Sequence, residues 1–168
     1  MLGFRMTQPV HFRSANDGDY EKICNLVTTK RELYFVYPRG TFPLTVEQVA
    51  NLASVRKELT VAMAGTVIVG FANLYDFDGS EKAFIGNVVV AQPYRGNGLG
   101  SQLIEHMLRV AFSKYRLSEV HISVFSDNLP ALLLYSKLGF CPYSIEERRN
   151  YEAKRVALIH MKLNRKNQ

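Results

Sequence analysis

Arg95-Gly96-Asn97-Gly98-Leu99-Gly100 sets three glycines at alternate positions ahead of an apolar run with helical spacing. Glycine has no Cβ, so a turn built of it can aim several backbone N–H groups into one small space. A helix starting at Leu99 adds its own unpaired N–H groups and the positive end of its dipole. Together they predict a phosphate cradle from Gly96 to Ser101, with Arg95 as a fixed charge at its lip. The spacing is not Gly-x-Gly-x-x-Gly and no Gly-Lys-Ser/Thr occurs, so neither the dinucleotide fingerprint nor the mononucleotide P-loop is met. A strand–turn–helix connection without a ligand is the plain alternative.

The elements around this loop can be read from periodicity. Ala83 to Val90 is apolar and rich in β-branched residues, which predicts a strand buried on both faces and ended before Pro93. Leu99, Leu103, Ile104, Met107, Leu108 and Ala111 recur at helical spacing. Upstream, Val10–Arg13 suggests an opening strand. Asn16 and Asp17 offer caps for a helix carrying Tyr20, Ile23, Cys24 and Val27 on one stripe. Residues 30–44 break the pattern and read as a connection. Its rings, including Tyr34, Phe35 and Tyr37, either complete the core or wall a substrate pocket. Thr45 and Gln48 form a capping-box pattern for a helix to about Arg56. Leu59–Met63 and Thr66–Leu74 flank the turn Ala64-Gly65. Gly79-Ser80 turns the chain again into the strand at 83, completing an antiparallel meander. Downstream, Glu119–Val124 alternates as a strand. Asn128 and Pro130 open a helix that Gly139 closes. Phe140–Ile145 and Arg155–Leu163 read as two strands around a charged turn at 146–151.

Asn128, Ala131, Tyr135, Gly139 and Phe140 stand 33 positions beyond Arg95 and onward, in the pattern Asn-x-x-Ala-x-x-x-Tyr-x-x-x-Gly-Phe. This resembles the second signature of the GNAT superfamily of N-acetyltransferases, and the Arg95–Gly100 hexapeptide resembles its first, Arg/Gln-x-x-Gly-x-Gly/Ala. The resemblance implies an α/β (α+β) fold, a central, mixed, mostly antiparallel twisted sheet of about seven strands flanked by about four helices. One domain would span residues 1–168. It also implies acetyl-CoA as cosubstrate. The pyrophosphate would lie on Arg95, Gly96, Asn97, Gly98, Leu99, Gly100 and Ser101, and the pantetheine arm would pair with the strand at Val88, Val89 and Val90. Asn128 would hydrogen-bond the pantetheine, or only cap its helix. Tyr135 would give a proton to the departing thiolate, or serve only as a core phenol.

Acetyl transfer to nitrogen needs a neutral amine, and amine pKa values near 10 require a base or a water path at neutral pH. The central strand holds Asn87 and no carboxylate. Glu81 at its start is the candidate base, Asp76 with Tyr34, Phe35 and Tyr37 the candidate acceptor wall, and His121 a second titratable residue beside the cleft. The function implied is direct transfer from acetyl-CoA to a primary amine in a ternary complex. A non-catalytic coenzyme A-binding or regulatory module of the same fold is the other reading.

Composition is compatible with both. The chain is 47% hydrophobic with a formal charge of +6 and a pI near 9.4. Its basic residues are scattered rather than clustered among aromatics, which argues against nucleic acid and is enough for an anionic cofactor. Cys24 and Cys141 lack metal-type spacing, so no metal is expected. No run approaches a membrane span, and Met1–Met6 lacks a signal-peptide core. A monomer or homodimer in the cytoplasm, with no membrane partner, is the simplest expectation.

Overall fold

The computed structural model describes residues 9–79 and 81–167. The expectations placed on Met1–Met6 and on Ser80 lie outside the described residues. Seven strands form one sheet in the order β1-β2-β3-β4-β5-β7-β6. They are β1 (Val10–Ser14), β2 (Lys57–Ala64), β3 (Val67–Asp78), β4 (Lys82–Val90), β5 (Glu119–Phe125), β6 (Cys141–Arg149) and β7 (Arg155–Asn164). Only β4 and β5 run parallel; every other neighbouring pair is antiparallel. The mixed, mostly antiparallel sheet is the expected one.

Five α-helices accompany it, α1 (Tyr20–Cys24), α2 (Lys30–Val36), α3 (Val46–Val55), α4 (Leu99–Arg109) and α5 (Leu129–Lys137). The additional helix is α2, which corrects the reading of 30–44 as irregular throughout. Its start is built from side chains. Thr29 Oγ1 accepts from the Glu32 N–H at 3.1 Å, while Glu32 Oε2 accepts from the Thr28 N–H and hydroxyl at 2.7 and 2.8 Å. Thr29-x-x-Glu32 is a capping-box pattern, so the signal was in the sequence beneath the cluster of rings. At α3, Thr45 Oγ1 accepts from the Gln48 N–H as expected, but the Gln48 amide turns outward to the Thr41 N–H and carbonyl.

One face of the sheet packs on α4 and α5 through Ala83, Ile85, Leu103, Ile104, Met107, Val120, Ile122 and Tyr135. The other face packs on α1, α2 and α3 through Ile23, Leu33, Val49, Val61, Phe71 and Val89. The helices on this second face stop short of the β5–β7–β6 end. β4 alternates between buried and half-buried positions rather than being buried on both faces, a second correction. The charged turn expected at 146–151 is also shorter, because β6 runs on to Arg149 against β7.

The feature that matters for function is a bulge in β4. Opposite Asn73 and Phe71 of β3 stand Gly86 and Val89, so β4 carries one extra residue there. Asn87 takes φ +51° within it. A bulge bends its strand and re-aims the residues beyond it. Accordingly, β4 pairs β5 only from Lys82–Glu119 to Ile85–Ile122, although both strands continue. Asn87 is locked in place: its Nδ2 donates to the Val36 carbonyl at 2.8 Å and its Oδ1 accepts from Asn73 Nδ2 at 2.7 Å. The result is a notch between two strands that were neighbours. No helix among the described residues is long and apolar enough to cross a membrane, and no group of residues that could hold a metal ion occurs among them.

Candidate active site

Gly96 and Gly98 hold φ values of +78° and +81°, and a Cβ at either would meet nothing within 4 Å. The space before them is open, and the backbone there adopts a conformation that L side chains avoid. Gly98 caps α4 without a side chain, and the first intrahelical bond runs from the Gln102 N–H to the Gly98 carbonyl at 3.1 Å. The N–H groups of Leu99, Gly100 and Ser101 precede that bond and have no partner within the helix. Gly100 serves another purpose. A Cβ there would come within 3.2 Å of Leu134, so the close packing of α4 on α5 needs it. Leu99 is buried in the core, and Asn97 braces the turn by donating from Nδ2 to the Arg95 carbonyl at 3.2 Å. Open space beside helix-start N–H groups fits a pyrophosphate.

Arg95, the fixed charge expected at the lip, is itself engaged by the protein. Its Nε donates to the Val90 carbonyl at 2.8 Å and its Nη2 reaches Glu32 Oε1 at 2.8 Å. The guanidinium therefore ties the glycine loop to α2, and it occupies the carbonyl that Val90 would have offered to a pantetheine arm. The Glu32 carboxyl is half-buried, which by itself raises its pKa. The Thr28 donors and Arg95 outweigh that and hold it below its ordinary value. Val88 and Val89 lie on the part of β4 that β5 has left, where strand-like pairing with an extended ligand is possible.

Asn128 precedes α5 and makes no capping hydrogen bond. The expectation that it caps the helix is thus corrected, and its amide is free to act on a ligand. Tyr135 is only 6% exposed, within the core beneath α5. Its ring packs near Phe140, and its hydroxyl has no hydrogen bond to another described residue. Burial pushes its phenol well above the ordinary range.

The candidate acceptor residues separate. Tyr34 projects from α2 onto β5, its ring stacked on Phe125 at 4.2 Å and tilted against Tyr151 at 5.7 Å. Phe35 lies beside it, with the Arg31 guanidinium 5.4 Å from its ring. Tyr37 turns the other way and lines a small apolar pocket with Val36, Phe71, Asn87 and Val89 inside the core. Asp76 and Glu81 lie away from the notch between β4 and β5. Asp76 is exposed on β3, near the hairpin end paired through Asp78 and Lys82. Glu81 is exposed on the turn before β4, five residues and roughly 16 Å short of the opening at Gly86. Its carbonyl is held by the Ser118 and Glu119 N–H groups. His121 is 4% exposed at a level where β4 and β5 still pair. Both its nitrogens are engaged, with Tyr143 Oη at 2.7 Å and Glu119 Oε1 at 2.6 Å, so it braces the sheet.

Two features were missed from sequence. Asp127 lies in the loop between β5 and α5; its Oδ1 is buried without a hydrogen-bond partner, as is the Tyr34 hydroxyl. Burial and the neighbouring Asp127 charge both raise the Tyr34 phenol. The other feature is a chain of side chains across three strands: Ser123 Oγ to His160 Nδ1 at 2.7 Å, and His160 Nε2 to Glu146 Oε1 at 2.7 Å. An alternating strand shows which face a residue takes, but not which residue of another strand lies beside it. No local signal could have brought these three together.

The model of the acetyltransferase (GNAT) family matches residues 21–140, a span that includes the glycine loop, the notch, Asn128 and Tyr135. The chain belongs to the GNAT family. Among its GNAT relatives, the SPbeta prophage-derived uncharacterized N-acetyltransferase YokL of Bacillus subtilis is 36% identical over 73 residues, 44% of this chain and 41% of that protein. The thialysine N-epsilon-acetyltransferase of Bos taurus is 30% identical over 126 residues, 73% of this chain and 71% of that protein. The chain spans about half or less of the length of the first relatives it matches, 41% to 52%. The spermidine N-acetyltransferase of Vibrio cholerae, solved in complex with CoA and spermine, superposes with a TM-score of 0.81 at 16% identity, over 94% of this chain and 96% of that one. At that identity the likeness is one of fold. His160 and Glu146 lie beyond the residues the GNAT model matches.

Proposed function

We propose that this GNAT chain is an acetyl-CoA-dependent N-acetyltransferase that transfers the acetyl group to a primary amine by direct attack in a ternary complex. The observation that carries the reading is the notch opened by the Gly86–Asn87 bulge between β4 and β5, adjoining the unfilled cradle at Gly96 and Gly98. When bound, acetyl-CoA supplies an acetyl group activated as a thioester. The start of α4 holds the pyrophosphate, the free edge at Val88 and Val89 aligns the pantetheine arm, and the Asn128 amide adds a polar contact to it. Tyr135 keeps its proton at neutral pH and holds it ready for the departing thiolate.

The acceptor enters on the Tyr34 side. A cationic amine group donates to acceptors, and two unpartnered acceptors, Asp127 Oδ1 and the Tyr34 oxygen, are buried close to one another there. The rings of Phe125 and Tyr151 beside them offer apolar and cation–π surface. Acceptors that carry positive charge fit this wall, and a GNAT neighbour of the same fold was solved with spermine. Acetyl-CoA consumption measured against a panel of primary amines tests the function, and cationic amines should lead the panel. The depth of Tyr135 in the core favours the second reading, a non-catalytic coenzyme A-binding module. Binding of acetyl-CoA with no turnover of any amine would establish that reading instead.

Asn128→Ala separates ligand contact from helix capping. With no cap bond to lose, its melting temperature should match wild type, within about 0.5 kcal/mol of stability. Loss of one hydrogen bond should weaken acetyl-CoA binding up to about tenfold. Calorimetry showing unchanged affinity would remove Asn128 from the site.

A further inference from the structure

The proposed reaction needs a group that takes the amine proton, and none of the carboxylates near β4 stands at the notch. Ser123 does. It is the first residue of β5 beyond the last β4–β5 pair, Ile85–Ile122, so it borders the gap across from the bulge. Alternation puts its side chain on the same face as Phe125, two residues on, which is the ring beneath Tyr34. Ser123 is therefore half-buried on the acceptor side, one strand repeat from the aromatic wall. Its cross-strand partner on β7 is His160, whose partner on β6 is Ser144.

The hydrogen bonds of this row have a defined direction. The His160 hydrogen bond holds the Glu146 carboxyl below its ordinary value, so it is an anion that only accepts. In the neutral imidazole, His160 Nε2–H then donates to Glu146, leaving Nδ1 as the acceptor for the Ser123 hydroxyl. The Ser123 oxygen keeps its lone pairs directed away from His160. Glu146 is also paired with Arg148, and its 40% side-chain exposure opens the far end of the row to water. The row thus runs from the notch to solvent.

Resting on the acetyltransferase reading above, we propose that Ser123, His160 and Glu146 form the relay that removes the proton from the attacking amine. The proton of the bound ammonium group passes to the Ser123 oxygen while the Ser123 proton moves to His160 Nδ1, and the neutral nitrogen so formed attacks; as the nitrogen–carbon bond forms and the carbon–sulfur bond breaks, the nitrogen loses its second proton to solvent. The Glu146 carboxylate balances the resulting imidazolium, and the leaving thiolate takes the Tyr135 proton. Exchange with solvent then returns a proton to Tyr135 and removes one from His160. His121 plays no part, because Tyr143 and Glu119 hold both its nitrogens.

The test is the pH dependence of kcat/KM for His160→Gln and Ser123→Ala, with an amine that wild type acetylates. The titratable or charged groups around His160 are Glu146 and Arg148 with Tyr143 on β6, His121 with Glu119 on β5, and Lys162 on β7; both variants leave all of them in place. Both variants should lose on the order of 10²-fold at pH 7, the usual worth of a positioned base. The deficit should close as pH approaches the amine's own pKa near 10, where the nucleophile is neutral without help. Affinity for acetyl-CoA should stay within twofold. A His160→Gln enzyme with the wild-type profile overturns the relay, and so does a deficit equal at every pH, which marks a structural role. If His160→Gln does not fold, Glu146→Gln and Ser123→Ala carry the same comparison. A wild type that binds acetyl-CoA and acetylates no amine overturns the acetyltransferase reading itself, and the relay with it.

Discussion

Tyr135→Phe should lower kcat by something on the order of 10² to 10⁴ and leave the fold intact. The variant removes one oxygen and keeps the ring that packs among Leu103, Ile122 and Phe140 in the core. Because that hydroxyl has no hydrogen bond to another described residue, its removal breaks none, and the melting temperature should hold or rise slightly. Burial raises the phenol far enough that it is protonated throughout any practical assay range. The hydroxyl is thus a fixed donor whose effect is felt as negative charge develops on sulfur. The loss should fall on kcat rather than on KM for acetyl-CoA, since the missing donor matters mainly in the transition state. Wild-type turnover in this variant would make Tyr135 a core residue alone. Any amine accepted by the wild type serves for the measurement, and a melting curve on the same sample completes it.

The second large effect is expected at Gly98. Gly98→Val should abolish most acetyl-CoA binding, for two separable reasons. A side chain at this position projects into the open space where the phosphates would sit, since nothing of the protein occupies it within 4 Å. A β-branched residue also resists φ of +81°, so the start of α4 would shift, at a cost of about 1–2 kcal/mol. Losing two charge-assisted bonds to N–H groups corresponds to about 10²-fold or more in affinity. In wild type, acetyl-CoA should raise the melting temperature, because a ligand bound only by the native state stabilises it. That rise should vanish in the variant. Gly98→Ala tests the two reasons separately: it carries the strain with little bulk, so it should lose stability like Val and retain more of the affinity. Equal acetyl-CoA affinity in wild type and Gly98→Val would end the cradle assignment.

The readings from sequence succeeded where chemistry is local. A glycine turn, a helix start and an Asn-to-Phe signature are each written within a dozen residues, and their geometry follows from backbone sterics that neighbours seldom override. The strand and helix order followed from periodicity for the same reason. Where those readings failed, the deciding contact was distant in the chain. Arg95 was placed at the lip of the loop, but its partner there, Glu32 of α2, lies 63 positions upstream and was not foreseen.

Family, fold plan and the geometry of the glycine loop were therefore determined by the sequence itself, because each depends on torsional preferences and on the spacing of apolar residues along one segment. The shape of the site was decided only by the tertiary structure. Glu81 and Asp76 are acids of the right type near the right strand, but strand rise sets Glu81 roughly 16 Å and Asp76 roughly 10 Å from the opening. Ser123, His160 and Glu146 are unremarked in sequence and meet because β7 lies between β5 and β6. Asn87 interrupts a valine-rich strand, and only its bonds to Asn73 and Val36 show that it anchors the bulge that parts β4 from β5. Strand order and register are set by the packing of whole faces, a sum over the entire sheet, so no single segment carries them.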